Sequence, residues 1–254
     1  MKQYIPPEPR LKVILAPLRH GHLEDLKLQV FSLLEKEKKQ ADKNGSALPL
    51  AILFAENSLN YNFRIKSCVV KSNINKIQEY LPADRWVAIG FSVNEKDDYQ
   101  PRSMGYLFTI DKLEPTPKRY CTYGDKELLR KIYEKKGNEF IDQWDEDGRI
   151  MQISGKPFAM LTTPSGINLE LRVCADVLSP PIKKEKNAVT IVPADGITVA
   201  DAIRLAKKRA AVIIHDNYPE VNGRWPENLY LSKFKHWENE IEKSAGVLVE
   251  SINN

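Results

Sequence analysis

A glutamate, a lysine and a cysteine each follow a predicted strand or extended segment, and together these side chains can perform acyl-transfer chemistry. Glu56 comes directly after a continuous apolar run, and Lys118 follows a Pro-Thr-Pro segment that proline keeps extended. Cys174 ends a segment in which apolar and polar residues alternate, as in a half-buried strand. Cleavage of an amide or nitrile through a covalent intermediate needs a nucleophile, a base and a fixed positive group. We therefore predict that the three side chains meet in one pocket.

Each side chain has a distinct expected role. Cys174 would attack the carbonyl or nitrile carbon as a thiolate, while Glu56 would take the thiol proton and pass it to the departing amine. Lys118 would favour the thiolate and stabilise the negative charge that develops in the transition state. The backbone N–H of Ala175 would be a second donor to that charge, and each such donor lowers the barrier by about 3 kcal/mol.

The histidines offer alternatives to this arrangement. His215 closes another predicted strand, with Asp216 beside it, so a thiol–imidazole pair with Cys174 is a second hydrolytic possibility. A hydrogen-bonded histidine at a strand end is the simpler interpretation of the same residue. His20 and His22 are two residues apart, but no further ligand follows at metal-binding spacing, and we expect no metal site.

The three segments resemble motifs of the nitrilase, or carbon-nitrogen hydrolase, superfamily. They read LFAE at 53–56, PKRYC at 117–121 and RVCAD at 172–176, in the family's order and with similar separations. A later segment, VTIVPA at 189–194, resembles the strand that follows the family's cysteine. Each motif is short, and the resemblance rests on their conjunction between Leu11 and about Asn217.

This resemblance implies a fold, an activity and a partner class. The fold would be α/β, a four-layer α-β-β-α sandwich in which helices cover two stacked sheets. The activity would be hydrolysis of a non-peptide C–N bond, of a small amide before a nitrile, through a thioester on Cys174 and without a cofactor. The chain would form a homodimer. Its second catalytic carboxylate would be Asp125, Glu127 or Glu134, which come shortly after Lys118.

The chain also departs from the family's pattern. Ala55 stands where the first motif usually has proline, and the run at 177–181 stands where the family usually has an aromatic-Pro-Glu run. The resemblance therefore does not identify the preferred substrate. Glu170 and Arg172 are unusual, because the family's cysteine strand is normally apolar on both faces. Either this strand is less buried, or Arg172 lies on the thiol's side and helps to hold an anionic group. A nitrilase-like scaffold that has lost turnover and acts as a binding module is the alternative function.

Short apolar runs alternate along the chain with segments of helical periodicity, which is typical of an α/β fold. Strands are predicted at residues 11–16, 50–55, 86–91, 104–110, 167–173, 188–192, 211–214 and 246–250. Helices are predicted from Leu23 to about Asn44, around 74–81, within 125–144, and from Thr198 to about Ala210, with a charged turn at 94–98.

Two charged segments have a structural and a functional interpretation. The stretch that begins seven residues after Lys118 predicts a helical insertion at about 125–148 that lies over or beside the pocket and restricts substrates. Lys207, Lys208 and Arg209 would end the last predicted helix, where they could meet phosphates. A helix C-terminus attracts basic residues electrostatically, and we expect no nucleic-acid partner.

Composition limits the remaining function classes. With 254 residues, of which 42% are hydrophobic, the chain can bury a sizeable core, and we predict a single domain, 1–254, with a C-terminal extension at about 218–254. The net charge of +4 is too small to demand a nucleic-acid partner. Apolar runs are too short for a signal peptide or a membrane span. Three cysteines without CxxC spacing (Cys68, Cys121, Cys174) predict a reducing, cytoplasmic compartment.

Overall fold

The computed structural model describes residues 10–16, 22–44, 47–56, 65–97, 100–118, 140–141, 152–153, 158–178, 185–194, 199–216, 229–232, 242–244 and 247–251. The strands are β1 (Leu11–Ala16), β2 (Leu50–Phe54), β3 (Ile65–Lys66), β4 (Val87–Asp97), β5 (Gln100–Phe108), β6 (Leu113–Pro117), β7 (Phe140–Ile141), β8 (Gln152–Ile153), β9 (Ala159–Thr162), β10 (Asn168–Leu171), β11 (Glu185–Ala194), β12 (Arg209–Asp216), β13 (Leu229–Ser232), β14 (Glu242–Ser244) and β15 (Val247–Ser251). The helices are α1 (Leu23–Asn44), α2 (Ser67–Gln78), a 3-10 helix (Cys174–Leu178) and α3 (Val199–Ala206).

Most of these strands form two sheets. The first has the order β14-β15-β1-β2-β4-β5-β6, with β3 beside β4, and the second has the order β13-β12-β11-β10-β9. Strands β15, β1, β2 and β4 are parallel, while β5 and β6 continue the first sheet antiparallel. Strands β10 to β13 are parallel, and β9 is antiparallel. Strands β7 and β8 pair separately.

The apolar runs of β1 and β2 follow from their central position in the first sheet. Every residue of both strands is buried, which requires cover on both faces. Side chains alternate between the faces, so Leu11 and Val13 of β1 pack toward the second sheet while Ile14 packs toward the helices. A continuous apolar run is the pattern expected of such a strand.

Three hydrophobic clusters fill the three spaces between layers. The first cluster joins α1 and α2 to the outer face of the first sheet (Leu26, Val30, Ile74, Ile52, Phe91). The second cluster lies between the two sheets (Leu53, Leu107, Leu169, Ile191, Ile213). The third joins α3 to the outer face of the second sheet (Ala202, Leu205, Val212, Ile214). The order helix, sheet, sheet, helix confirms the predicted four-layer α-β-β-α sandwich.

The region predicted as a C-terminal extension supplies strands to both sheets. Strand β13 adds to the edge of the second sheet beside β12, and β15 lies between β14 and β1 in the first. Within the described part of the chain, none of the helices combines the length and apolarity that crossing a bilayer needs.

Three local predictions are wrong. The segment at 94–98 was predicted as a turn, but residues 94–97 belong to β4, which continues to Asp97. Its backbone groups there form hydrogen bonds with β5. Phe140 and Ile141 are in a strand, paired with β8, and not in a helix, since short apolar segments do not distinguish the two states. Helix α3 ends at Ala206 and not near Ala210, because Arg209 already pairs with β11.

Candidate active site

The strands bring Glu56, Lys118 and Cys174 to one edge of the sandwich. Strands β2 and β6 run in the same direction, since β2 is parallel to β4 and two antiparallel pairings lead from β4 to β6. Glu56 and Lys118, which follow these strands, therefore emerge at the same edge. Val173, which follows β10, packs against Gly105 of β5, and Gly105 pairs with Thr116 of β6, so Cys174 lies near the end of β6.

Glu56 and Lys118 form an ion pair across the ends of their strands. The Lys118 ammonium donates to Glu56 Oε1 at 2.8 Å. The glutamate is buried and the lysine side chain is about one-fifth exposed, so this pair is only partly screened by water. The backbone N–H of Lys118 also donates to the Ser103 carbonyl at 2.9 Å, which continues the β5–β6 ladder past the end of β6. The lysine is therefore held by both its backbone and its side chain.

The charges around Lys118 keep its ammonium protonated. Burial alone would lower its pKa, but electrostatic interactions with Glu56, Cys174 and Asp176 outweigh burial and raise the pKa of Lys118 well above its usual range. The side-chain hydrogen bond to Glu56 acts in the same direction. Lys118 can therefore stabilise a developing negative charge, but it cannot serve as a base.

Cys174 has an unusual backbone conformation at the start of the 3-10 helix. Its φ is +45°, in the left-handed region that residues other than glycine rarely adopt. The turn is closed by Asp176, whose N–H donates to the Val173 carbonyl at 3.0 Å and whose carboxylate accepts the Val173 N–H at 3.3 Å. A cysteine with this left-handed backbone conformation lies on a sharp turn, a position that catalytic nucleophiles often occupy.

The segment before the cysteine is buried, so the expectation of a less buried strand is wrong. Glu170 and Arg172 are both buried on the face of the second sheet opposite the inter-sheet core. Arg172 binds Glu170 with two nitrogens, at 3.0 and 3.1 Å, and stacks on the Phe158 ring at 4.1 Å from its centroid. The two charges are tolerated in the interior because they are paired.

The Glu170 carboxylate is shared between two arginines. Arg209 of β12 binds it at 3.0 Å, and the Thr190 hydroxyl donates to it at 2.8 Å. Burial would raise its pKa, but Arg172 and Arg209 outweigh burial and hold the pKa of Glu170 below its usual range. Glu170 is therefore a fixed anion inside the second sheet.

The remaining predicted site residues have different positions. Ala175 is the second residue of the 3-10 helix, directly after Cys174, and the first N–H groups of a helix have no partner within it. Five of the residues singled out from the sequence lie outside the described part of the chain: Asp125, Glu127, Glu134, Cys121 and His20. Of the two described cysteines, Cys68 and Cys174, neither forms a disulfide. No group of metal-binding side chains occurs within the described ranges.

His215 lies in the second sheet with one strand, β11, between it and β10. It is buried, and its Nε2 donates to the Ala16 carbonyl of β1 at 2.8 Å. Because Ala16 pairs with Phe54, two residues before Glu56, His215 also lies at the edge where Glu56 emerges, and the thiol–imidazole pair stays the second possibility.

The basic cluster predicted at 207–209 is not a helical surface. Lys207 and Lys208 follow the end of α3, whereas Arg209 is buried in β12 and bound to Glu170. Arg209 is therefore unavailable to phosphates, and it does not support the nucleic-acid alternative.

Ser92 and Thr116 near the site were not predicted from sequence. Ser92 and Thr116 each pair with Gly105, on either side of β5, and both are fully buried. Neither hydroxyl has a hydrogen-bond partner in the described part of the protein. The signal available in the sequence is a lone serine inside an apolar strand, which marks a buried polar group that needs a partner. Thr116 comes two residues before Lys118, so its hydroxyl is a buried polar group close to the candidate site.

No protein-family model matches the chain, and no curated protein matches it. Solved structures do match. A CN-hydrolase superfamily protein of Xanthomonas campestris, with an arsenic adduct in its active site, has 12% identity and a TM-score of 0.50 over 81% of this chain and 77% of its own. An amidase of Nesterenkonia sp. has 15% identity and a TM-score of 0.41 over 80% and 74%. A glutamine-dependent NAD(+) synthetase of Cytophaga hutchinsonii has 11% identity and a TM-score of 0.41 over 72% and only 30% of its length.

The likeness to the Xanthomonas protein shows that this chain has the CN-hydrolase fold. It confirms the fold that the sequence motifs predicted by resemblance. At 12% identity it extends to the fold alone, and the chemistry has to be argued from the side chains.

Proposed function

We propose that this chain is a carbon-nitrogen hydrolase of the nitrilase superfamily that cleaves a small amide through a thioester on Cys174. The observation that carries the proposal is the ion pair between Lys118 and Glu56 at 2.8 Å, formed at the edge where Cys174 begins its 3-10 helix. A buried carboxylate, a permanently charged ammonium and a thiol in a strained turn supply the base, the cation and the nucleophile of this reaction.

In the first half of the reaction the thiol becomes an acyl carrier. Glu56 takes the Cys174 proton, and the sulfur lone pair forms a C–S bond to the amide carbon. The carbonyl oxygen takes the charge, stabilised by Lys118 and the Ala175 N–H, and each donor is worth about 3 kcal/mol of barrier. The tetrahedral intermediate collapses, the C–N bond breaks, and the amine leaves with the proton from Glu56.

In the second half, water releases the acyl group. Glu56 takes a proton from water, whose oxygen attacks the thioester carbon. The C–S bond then breaks, the carboxylic acid leaves, and the thiolate takes the proton back from Glu56. Protein side chains and water supply every group that these steps use, so the proposed mechanism needs no cofactor.

A second carboxylate would support the pair. Asp125, Glu127 and Glu134 follow Lys118 closely in sequence, and a carboxylate there would orient the ammonium. We propose that one of them does so and that the segment around it narrows the entrance. Separate changes Asp125→Asn, Glu127→Gln and Glu134→Gln identify it, since only one should lower turnover without lowering thermal stability.

The test is trapping of the acyl-enzyme. The purified chain is incubated with a panel of small aliphatic amides and nitriles, and intact mass and peptide mapping locate any adduct. An acyl adduct on Cys174, absent in Cys174→Ala and with turnover lost in both Cys174→Ala and Cys174→Ser, supports the proposal. Turnover that survives in Cys174→Ala would assign the chemistry to another residue, with His215 the next to change. Absence of turnover and of adducts throughout would favour the binding-module alternative.

A further inference from the structure

The left-handed backbone of Cys174 has to be held by its neighbours. A non-glycine residue persists in this region only when surrounding contacts enforce it. The chain on its N-terminal side is anchored, because the Arg172 N–H donates to the Ile191 carbonyl of β11 at 3.1 Å. On its C-terminal side the turn is closed on Val173 by the backbone and carboxylate of Asp176.

One side chain connects this turn to the second sheet. The Arg172 guanidinium donates through Nη1 to the Asp176 carbonyl at 3.2 Å, while its other two nitrogens hold Glu170. Arg172 is thus bound both to Glu170, four residues before Cys174, and to Asp176, two residues after it. A planar guanidinium with fixed donor directions sets the distance between these two attachment points.

Glu170, which holds Arg172, is itself fixed in the interior of the second sheet. Glu170 accepts from Arg172, from Arg209 on β12 and from the Thr190 hydroxyl on β11. Arg172 is 2% exposed and Arg209 7%, so the carboxylate and its partners are largely removed from water. The network therefore ties the turn to three neighbouring strands of the second sheet.

We propose that Arg172 is a positioning residue, which holds the turn at 173–176 so that the Cys174 thiol stays beside Lys118. This inference rests on the proposed function only in taking Cys174 as the reactive thiol. It replaces the expectation that Arg172 binds an anionic group of the substrate. Leu171 faces the inter-sheet core and Val173 contacts Gly105 of the first sheet, whereas the Arg172 guanidinium lies on the opposite face, against Phe158 and Glu170.

Arg172→Lys and Arg209→Lys are a matched pair of variants for testing this role. Each keeps a positive charge near Glu170 and loses a guanidinium, but only Arg172 also binds the Asp176 carbonyl. The readout is the rate at which iodoacetamide alkylates Cys174 in the native protein between pH 6 and 10. Peptide mapping separates Cys174 from Cys68 and Cys121, and exposed Cys68 serves as the internal standard.

We expect Arg172→Lys to lower the alkylation rate of Cys174 at pH 7 at least tenfold and to move the midpoint of its pH profile upward. Arg209→Lys should lower thermal stability to a similar extent but leave the Cys174 rate within twofold of wild type. If Arg172→Lys fails to fold, Glu170→Asp, which shortens the carboxylate that holds Arg172, should lower the rate about threefold.

Equal effects of the two lysine variants on Cys174, or none from Arg172→Lys, would overturn the proposal and leave the network as packing. A higher KM for anionic amides in Arg172→Lys, with an unchanged alkylation rate, would also overturn it and assign Arg172 to substrate binding. The alkylation assay needs no substrate, so a wild-type chain that forms no acyl adduct still tests the position of the thiol. Failure of the proposed function is in this way distinct from failure of this inference.

Discussion

Gly105 and Val173 are in contact across the two sheets directly beneath the candidate site. A Cβ added to Gly105 would lie 2.7 Å from Val173 Cγ2, closer than carbon atoms approach in folded proteins. Glycine at this position therefore lets the second sheet come near enough to place Cys174 beside Lys118.

Changing Gly105 to alanine should push the sheets apart at this edge. Valine is stiff at χ1 and cannot turn its methyl away, so we expect Gly105→Ala to lower the free energy of unfolding by about 1–3 kcal/mol. Gly90→Ala is the control, because its new Cβ would meet the far end of Ile191, which can move. Urea denaturation measures both. Val173→Ala is then added to the Gly105→Ala variant. If stability is not restored, the contact between position 105 and Val173 does not limit how closely the two sheets pack.

The ion pair of Lys118 and Glu56 should couple stability to thiol reactivity. Lys118→Met leaves a buried carboxylate without its cation, and we expect a loss of about 3 kcal/mol, as for other broken buried pairs. Alkylation of Cys174 at pH 7 should also slow, because the Lys118 ammonium no longer favours the thiolate.

The double variant Glu56→Gln/Lys118→Met separates these two effects. Removing both charges should restore part of the stability, with a coupling energy of about 1–2 kcal/mol, while Cys174 stays slow to alkylate. The cycle also needs Glu56→Gln alone. If the stability loss of the double variant equals the sum of the losses of the two single variants, the ion pair is contradicted. Restored alkylation in the double variant would show that Lys118 does not act on the thiol.

The buried strands were predictable from sequence because burial on both faces leaves a local signature. The run at 50–54 is apolar at every position, and the prolines that bracket Thr116 allow only an extended backbone. The convergence of Glu56 and Lys118, 62 residues apart, followed from placing both at strand exits and from the family's order.

Other features were hidden because they depend on long-range pairing. Arg209 meets Glu170 only once β10, β11 and β12 are in register, so helical periodicity placed it at a helix end. The left-handed backbone of Cys174 was equally hidden, since no glycine or asparagine marks the position. Both are tertiary features that override local preference.

Lys12 should contribute more to stability than its surface neighbour Lys36. Its ammonium lies 2.6 Å from both Glu37 of α1 and Glu250 of β15, so it joins three elements, whereas Lys36 is half exposed and 3.6 Å from Glu250. We expect Lys12→Met to lower the free energy of unfolding by about 3 kcal/mol and Lys36→Met by less than about 1 kcal/mol. Chemical denaturation at 0.1 M and 1 M salt measures both. Equal losses would contradict a buried role for Lys12.

Glu170 should make the fold sensitive to acid. Its pKa in the folded protein is below its ordinary value of 4.5, because the two arginines outweigh the effect of burial. Its stabilisation is therefore complete above about pH 4.5 and is lost as the pH falls through the lower, folded-state pKa. Glu170→Gln lacks this dependence and leaves two buried guanidinium groups without a counter-charge, which costs about 3 kcal/mol or more at neutral pH. The stability difference between wild type and variant should shrink from pH 6 to pH 3, and a constant difference would contradict it.

The conformation of Cys174 predicts an inverted order of stability between alanine and glycine. At an ordinary position alanine is the more stabilising residue, by about 1 kcal/mol in a helix. At φ +45° the alanine Cβ meets the following carbonyl, which costs about 1–2 kcal/mol and is absent in glycine. Cys174→Gly should thus be more stable than Cys174→Ala by about 1 kcal/mol, although both lose the thiol.

The matched control is Lys71, an exposed residue inside α2. There Lys71→Gly should be less stable than Lys71→Ala by about 1 kcal/mol, the opposite sign. Urea denaturation of the four variants gives both differences in one set of measurements. If glycine is the less stable residue at both positions, Cys174 does not hold a left-handed backbone in solution. The network of Arg172 would then have no strained turn to maintain, and the slow alkylation expected of Arg172→Lys would lose its cause.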